Sequence, residues 1–296
     1  MTANPIFRGA ATALITPMHA DGAVDYETFG RLIDWQIAEG IDALVIAGTT
    51  GEGSTLSDAE HREVLAFSAQ RIAGRVPFIA GTGSNDIAYA VDLTKFACSI
   101  GADAMLVVTP YYNKATQKGL IASYNAIADA SDKPVIVYNV PSRTGVGIEP
   151  TTYAELAKHP NIAAIKEANG NISKIVETAA LVGDKLDIYS GNDDQIVPIL
   201  AMGGAGVISV LSNIMPAQTS ELCHRWFRGD IEGSAKLQCE YTELIKALFC
   251  EVNPIPVKAA MAAMGFGANA LRLPLTPMES ANEQRLLALM KAQGLV

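Results

Sequence analysis

A lysine ends the apolar run in Ile162-Ala163-Ala164-Ile165-Lys166-Glu167-Ala168-Asn169-Gly170. The run has the length of a buried strand, and Asn169-Gly170 is a turn signal. At such a strand end burial disfavours the ammonium and lowers its pKa, which makes the amine a nucleophile. The bland reading is a lysine whose stem snorkels to water. Other chemistry-bearing residues follow apolar runs in the same way. Thr49 and Thr50 follow Ala43 to Ala47, Tyr111 and Tyr112 follow Ala104 to Val108, and Tyr138 and Arg143 come at and after the end of Val135 to Tyr138. Singly, threonines cap helices, tyrosines fill cores, and an arginine in a Ser-Arg-Thr-Gly turn is solvated. Together, an amine, phenols, hydroxyls and a guanidinium make a set for carbonyl chemistry. The amine forms an imine with a keto acid, the phenol and hydroxyls pass protons, and a cation or backbone N–H holds a carboxylate. The imine nitrogen is itself the electron sink, so this chemistry requires no metal or organic cofactor. In view of the set, Lys166 reads as catalytic.

These residues share one rim only if their runs are parallel strands. Eight apolar runs begin near Gly9, Ala43, Val76, Ala104, Val135, Ile162, Leu186 and Val207, and each leads into a helical segment. Phe29, Leu32, Ile33 and Ile37 give one helical face from Tyr26 to Glu39, and Ser57-Asp58-Ala59-Glu60 is a capping-box pattern. Helices are also expected over Ile87 to Cys98, Gly119 to Asp129 and Ile172 to Leu181, near Pro150, and around Ile196 to Met202. Regular strand–helix alternation means parallel strands with crossover helices, and eight units suit a closed (β/α)8 TIM barrel of the α/β class. Its active site lies at the carboxyl ends of the strands. A doubly wound open sheet more often carries Gly-x-Gly-x-x-Gly after its first strand, and that motif is absent. Gly203-Gly204-Ala205-Gly206 raises a phosphate-binding barrel as an alternative, but a tight turn into a strand explains those glycines more simply. The expected division is a catalytic barrel over 1–229 and a C-terminal helical extension over 230–296, broken at Asn253-Pro254 and Leu273-Pro274.

With 296 residues, 49% of them hydrophobic and 18% charged, the chain can bury a large core. The net charge of −9 argues against nucleic acid or an anionic membrane as partner. No apolar run reaches membrane-spanning length, and Met1 to Arg8 lacks the pattern of a signal peptide, so a cytoplasmic protein is expected. Cys98, Cys223, Cys239 and Cys250 have no paired spacing and read as reduced thiols. The four histidines show no zinc-ligand spacing.

Gly48-Thr49-Thr50-Gly51-Glu52, Tyr138-Asn139-Val140-Pro141-Ser142-Arg143-Thr144-Gly145 and Ile165-Lys166-Glu167-Ala168 resemble the signatures of the dihydrodipicolinate synthase (4-hydroxy-tetrahydrodipicolinate synthase) family. This family belongs to the pyruvate-dependent class I aldolases, with N-acetylneuraminate lyase. The resemblance covers nearly the whole chain, including 107–113, 206–210, 253–258 and 271–274. It implies condensation of pyruvate with L-aspartate 4-semialdehyde through a Schiff base on Lys166. The product is 4-hydroxy-tetrahydrodipicolinate, the first committed step of diaminopimelate and lysine biosynthesis. It implies a proton relay of Tyr138, Thr49 and Tyr112, with Tyr112 acting in a neighbouring subunit's site. It implies pyruvate contacts from Thr50, Ile208 and Gly191, a semialdehyde clamp at Arg143, and a homotetramer built as a dimer of dimers. A sister aldolase for sialic acid or a keto-deoxy sugar acid would share the lysine and tyrosine but differ at Thr50 and Arg143. A non-catalytic barrel would have lost Lys166 or Tyr138. Lysine-sensitive members carry an interface site to which His61, Asn85 and Tyr111 correspond here. Three positions depart from that pattern. Gly53 stands for a serine, Asp58 for a histidine, and Tyr89 for the glutamate that pairs with lysine's α-ammonium. Weak or absent feedback by lysine is therefore expected, with Asp58 as a partial compensation.

Overall fold

Short runs rich in branched apolar residues pair in parallel, and eight of them close on themselves in a computed structural model that describes residues 5–296. The strands are β1 (Gly9–Ala13), β2 (Ala43–Ile46), β3 (Phe78–Gly81), β4 (Ala104–Val108), β5 (Val135–Asn139), β6 (Ile162–Glu167), β7 (Asp187–Ser190) and β8 (Gly206–Ser209). Each pairs with its successor, and β8 pairs back onto β1 with Gly9 opposite Gly206 and Ala11 opposite Ile208. This is a (β/α)8 barrel. Closure explains the last of the clustered glycines. Gly206 has φ +151°, and a Cβ there would lie 1.8 Å from the Gly9 carbonyl oxygen.

Side-chain alternation along each strand divides the core in two. Val45, Ile79, Leu106, Ile136 and Ile208 fill the barrel interior. Leu44, Ile46, Leu65, Leu93 and Val137 pack between the strands and the surrounding helices. The same parity sends Tyr138 into the interior layer, while its neighbour Val137 faces the helices.

The helices that follow are Tyr26–Ala38, Asp58–Ile72, Ile87–Ser99, Gln117–Asp129, Pro150–Leu156, Ile172–Val182, Ile196–Ala201 and Pro216–Phe227. The capping box forms as expected. Ser57 accepts from the Glu60 amide, and Glu60 accepts from the Ser57 amide at 2.9 Å. Strand ends differ by a few residues for local reasons. The first run leaves the ladder after Ala13 because the Ile15 amide donates to Asn213 and the Thr16 hydroxyl to the Gly51 carbonyl. The Ser-Arg-Thr-Gly stretch, read as a turn, is a short helix, Pro141–Thr144, ended by Gly145 at φ +72°. Beyond the barrel lie the helices Ile231–Glu240, Thr242–Leu248, Ile255–Ala263 and Ser280–Ala292. The breaks between them include Asn253-Pro254 and Leu273-Pro274, both cis. No helix among the described residues is long and apolar enough to cross a membrane.

Candidate active site

Register places the chemistry. Val108, Tyr138, Lys166 and Tyr189 stand opposite one another across β4 to β7, so Tyr138 and Lys166 are direct neighbours. The Lys166 Nζ lies 4.2 Å from the centroid of the Tyr138 ring, and each residue is only 6% exposed. Burial drives the lysine pKa down to about 7, against the pull of the Asp193 charge and with help from Arg143. Near pH 7 about half of such amines are free, against about 1 in 3,000 at an ordinary lysine pKa. Burial raises the Tyr138 pKa, while the Arg143 charge and a hydrogen bond with Thr49 pull it down. Tyr138 therefore rests as a neutral phenol.

Thr49 and Thr50 sit in a tight loop after β2, between Ala47 and Glu52, both in the left-handed region at φ +55° and +54°. The C-terminal extension holds this loop. The Asn253 side-chain amide donates to the Thr50 hydroxyl at 2.9 Å. Lys258 and Glu52, each 1% exposed, pair at 2.5 Å, and the Arg272 amide donates to the other Glu52 oxygen. Segments 253–258 and 271–274 carry the resemblance, but their contact with Thr50 and Glu52 spans more than 200 residues and has no local signal.

A cleft of about 520 Å³ opens at the carboxyl ends of the strands, lined by Thr49, Tyr138 and Arg143. Lys166 does not line it; the amine lies against the Tyr138 ring. Arg143 is exposed on its short helix. Ile208 is buried in β8. Gly191 follows β7 and donates to the Glu167 carbonyl at 2.7 Å. A Cβ at Gly191 would come within 3.2 Å of Lys166 Cε and 2.7 Å of Ala168 Cβ, so glycine leaves the lysine its room. Tyr112 stands apart from this cleft, 86% exposed at φ +73°.

Asp58, His61, Tyr89 and Tyr111 line the same cleft, continuous with the Tyr138 face, whereas Asn85 is exposed and outside its lining. His61 donates from Nε2 to the Gly81 carbonyl at 2.9 Å. Burial lowers its pKa and keeps it neutral. Asp58 is already engaged, accepting from Arg62 Nε at 2.9 Å and from the Tyr89 phenol.

Two buried carboxylates escaped the reading of the sequence. Glu167 points away from the barrel interior and accepts from Asn139 at 3.0 Å, Tyr153 at 2.9 Å and the Asn169 amide at 2.9 Å. Strand parity signals its outward direction. Asp193, in the turn after β7, accepts from the Val210 and Leu211 amides at 3.0 and 2.9 Å. Among the described residues no group of histidine, cysteine and carboxylate side chains is arranged to hold a metal ion.

A closed barrel whose sixth strand presents a buried lysine of lowered pKa beside a buried tyrosine fits a Schiff-base-forming class I aldolase. The family model described as the dihydrodipicolinate synthetase family matches residues 6–293, and the chain belongs to that family. It is 55% identical to the 4-hydroxy-tetrahydrodipicolinate synthase of Caldicellulosiruptor saccharolyticus, over 95% of each chain. The dihydrodipicolinate synthase structure from Thermotoga maritima superposes with a TM-score of 0.96 at 42% identity, covering 99% of this chain and 100% of that one. The chloride-inhibited enzyme from Acinetobacter baumannii, solved in complex with pyruvate, gives 0.95 at 42% identity, over 98% and 99% of the two chains.

Proposed function

We propose that this chain condenses pyruvate with L-aspartate 4-semialdehyde to give 4-hydroxy-tetrahydrodipicolinate, in the cytoplasm, as the first committed step of diaminopimelate and lysine biosynthesis. The observation that carries this reading is the buried Lys166 amine, with its lowered pKa, against the Tyr138 ring. The free amine adds to the keto carbon of pyruvate, and loss of water leaves an iminium on Lys166. The iminium draws electrons from the methyl group, which gives up a proton and becomes an enamine carbon. That carbon attacks the aldehyde, and cyclisation releases the product and the lysine. Tyr138, with Thr49 beside it, shuttles the protons. The Thr50 hydroxyl and the Ile208 main chain hold the pyruvate carboxylate, and Gly191 leaves space beside the lysine. Arg143, exposed at the cleft mouth, receives the carboxylate of the semialdehyde.

The fully exposed Tyr112, held in a left-handed conformation, supports a site completed by the neighbouring subunit. Ile172 and Val176, 37% and 44% exposed on one helix, offer apolar surface for pairing dimers into a tetramer. The test is turnover of pyruvate with each candidate aldehyde, alongside borohydride trapping and mapping of the labelled peptide. Semialdehyde turnover with one reduced pyruvate on Lys166 is expected. Cleavage of N-acetylneuraminate in its place would assign the sister aldolase activity, and a label on another lysine would sink the mechanism.

A further inference from the structure

Behind the reactive pair lies a second pair with no part in the imine chemistry. Asn139 follows Tyr138 and Glu167 follows Lys166, and the two stand opposite each other in the β5–β6 register. Strand alternation turns them to the outer side of the barrel wall, into the layer where Val137 and Ile165 pack against the helices. Both are buried. The Glu167 carboxylate accepts from Asn139 Nδ2 at 3.0 and 3.2 Å, from the Tyr153 hydroxyl at 2.9 Å and from the Asn169 amide at 2.9 Å. The Ile148 amide donates to Asn139 Oδ1 at 3.2 Å. A backbone N–H can only donate, so Asn139 must turn its Nδ2 toward the carboxylate. Each of these partners of Glu167 is therefore a donor. Burying a carboxylate among apolar side chains is costly, and what the network joins gives the reason for it.

The network ties together the segments that bring the site residues to the rim. Through Asn139 and Glu167 it fastens β5 to β6 one residue beyond Tyr138 and Lys166. Through Ile148 it fixes the far end of the segment that carries Arg143, whose near end is the short helix Pro141–Thr144. Through Asn169 it closes the turn after the lysine, and through Tyr153 it reaches the helix Pro150–Leu156. The titratable groups that face Glu167 are Tyr138 on β5, Tyr124 on the helix Gln117–Asp129, and Tyr153. Burial raises the pKa of each phenol, so they stay neutral. Burial also lifts the Glu167 carboxyl to about 7, while hydrogen bonds from Asn139 and Tyr153 pull it down. A protonated carboxyl brings an O–H of its own into this ring of donors and must displace one of them.

We infer that Glu167 is a positioning residue for proton transfer at the imine: its carboxylate, held by Asn139, Tyr153 and Asn169, sets Tyr138 against Lys166 from behind the strands. This inference rests on the imine reading above. Glu167 faces away from the barrel interior and touches neither substrate nor imine. It acts through the placement of β5 against β6, and only while it is ionised, because only the carboxylate accepts from all of these partners.

The experiment separates imine formation from proton transfer. The full chain is held with saturating pyruvate in heavy water, and exchange of the pyruvate methyl protons is followed by NMR. Parallel samples are trapped with borohydride to count the imine on Lys166. In the exchange a methyl C–H bond of the iminium breaks and its electron pair forms the enamine. The proton leaves by way of Tyr138, and a deuteron from solvent returns to the carbon. Counting exchange per imine removes the titration of the lysine itself. Glu167→Gln keeps the shape but sets an amide N–H against the donors. Trapping should survive, and exchange per imine should fall about tenfold to a hundredfold, the scale of a small misplacement of reacting groups. In the unmodified enzyme exchange per imine should drop as pH falls through about 7 and Glu167 takes up a proton. In Glu167→Gln that drop should vanish. Tyr153→Phe should move it to higher pH, because Glu167 loses a hydrogen bond that lowers its pKa. Equal loss of trapping and exchange in Glu167→Gln, or an unmoved drop in Tyr153→Phe, would overturn the proposal, since Glu167 would then serve the fold alone. Failure of the unmodified enzyme to trap pyruvate on Lys166 would instead sink the imine reading itself. If Glu167→Gln does not fold, the shift in Tyr153→Phe decides.

Discussion

At the residue scale, a lysine with an ordinary pKa would be almost entirely protonated at neutral pH and unable to attack a ketone. Lys166 avoids this because β6 delivers it into the barrel interior, where desolvation penalises its charge. Its pKa in the folded chain lies below the unfolded value, so the free-amine fraction grows as pH rises through about 7 and levels off above it. The initial rate of imine formation with pyruvate should follow that curve, read by trapping at successive pH values; a rate still climbing at pH 10 would mean an unperturbed lysine. The Arg143 charge acts on both Lys166 and Tyr138, and the proposed reading adds the semialdehyde carboxylate. Arg143→Ala should cost about 1.5–3 kcal/mol in kcat/KM for the semialdehyde, the loss of a charge-assisted hydrogen bond. Pyruvate trapping should survive, with its acid limb moved to higher pH, since the Arg143 charge helps lower the Lys166 pKa. Equal loss of trapping would make Arg143 a structural support. In the neighbouring part of the cleft, an added ammonium would compete for the Asp58 carboxylate with Arg62, which already donates to it from Nε at 2.9 Å. Inhibition by L-lysine should accordingly be weak and should tighten in Tyr89→Glu, as measured by turnover titrated with lysine. Strong inhibition of the unmodified enzyme would show that Asp58 rebuilds the site despite Arg62.

At the scale of elements, the C-terminal extension acts as a clamp on the Thr49–Thr50 loop. Lys258, on the helix Ile255–Ala263, reaches Glu52 in full burial, and Asn253, just before that helix, holds the Thr50 hydroxyl. Removing one member of a buried pair leaves an uncompensated charge, at about 3–5 kcal/mol. Lys258→Met should lower the denaturation midpoint by that free energy, with the denaturant slope unchanged. Pyruvate affinity should fall in the same variant, because Thr50 loses its support. A stability change below about 1 kcal/mol would mean that the loop is held by its backbone geometry alone.

At the scale of the whole molecule, Tyr112 is the residue that a single chain leaves outside its own site. If it completes the site of a neighbour, two inactive variants can rescue each other. In a hybrid of Lys166→Ala with Tyr112→Phe, the Tyr112→Phe subunit keeps its lysine and receives a tyrosine from its partner. Co-refolding the two variants in equal amounts should restore about a quarter of the unmodified activity, since half of the dimers are hybrids with one intact site. No restoration would place Tyr112 in its own subunit's relay or outside the relay altogether.

Much of this was legible in the linear sequence, because strand and helix periods are local properties. Eight apolar runs spaced by helical segments sufficed for the barrel, and in this fold the carboxyl ends of the strands share one rim. That alone gathers Thr49, Tyr138, Arg143 and Lys166. Strand alternation then turns Tyr138 inward. The pairings that tune the site were not legible. Asp193 meets the Val210 and Leu211 amides only once β7 and β8 lie side by side. Glu52 and Lys258, like Thr50 and Asn253, join segments whose separation along the chain leaves no periodic trace. The direction of Tyr112 depends on a left-handed backbone conformation that its residue type does not announce. Local pattern determined which residues could reach the rim; chain closure and desolvation, properties of the tertiary structure, decided which of them act on one another.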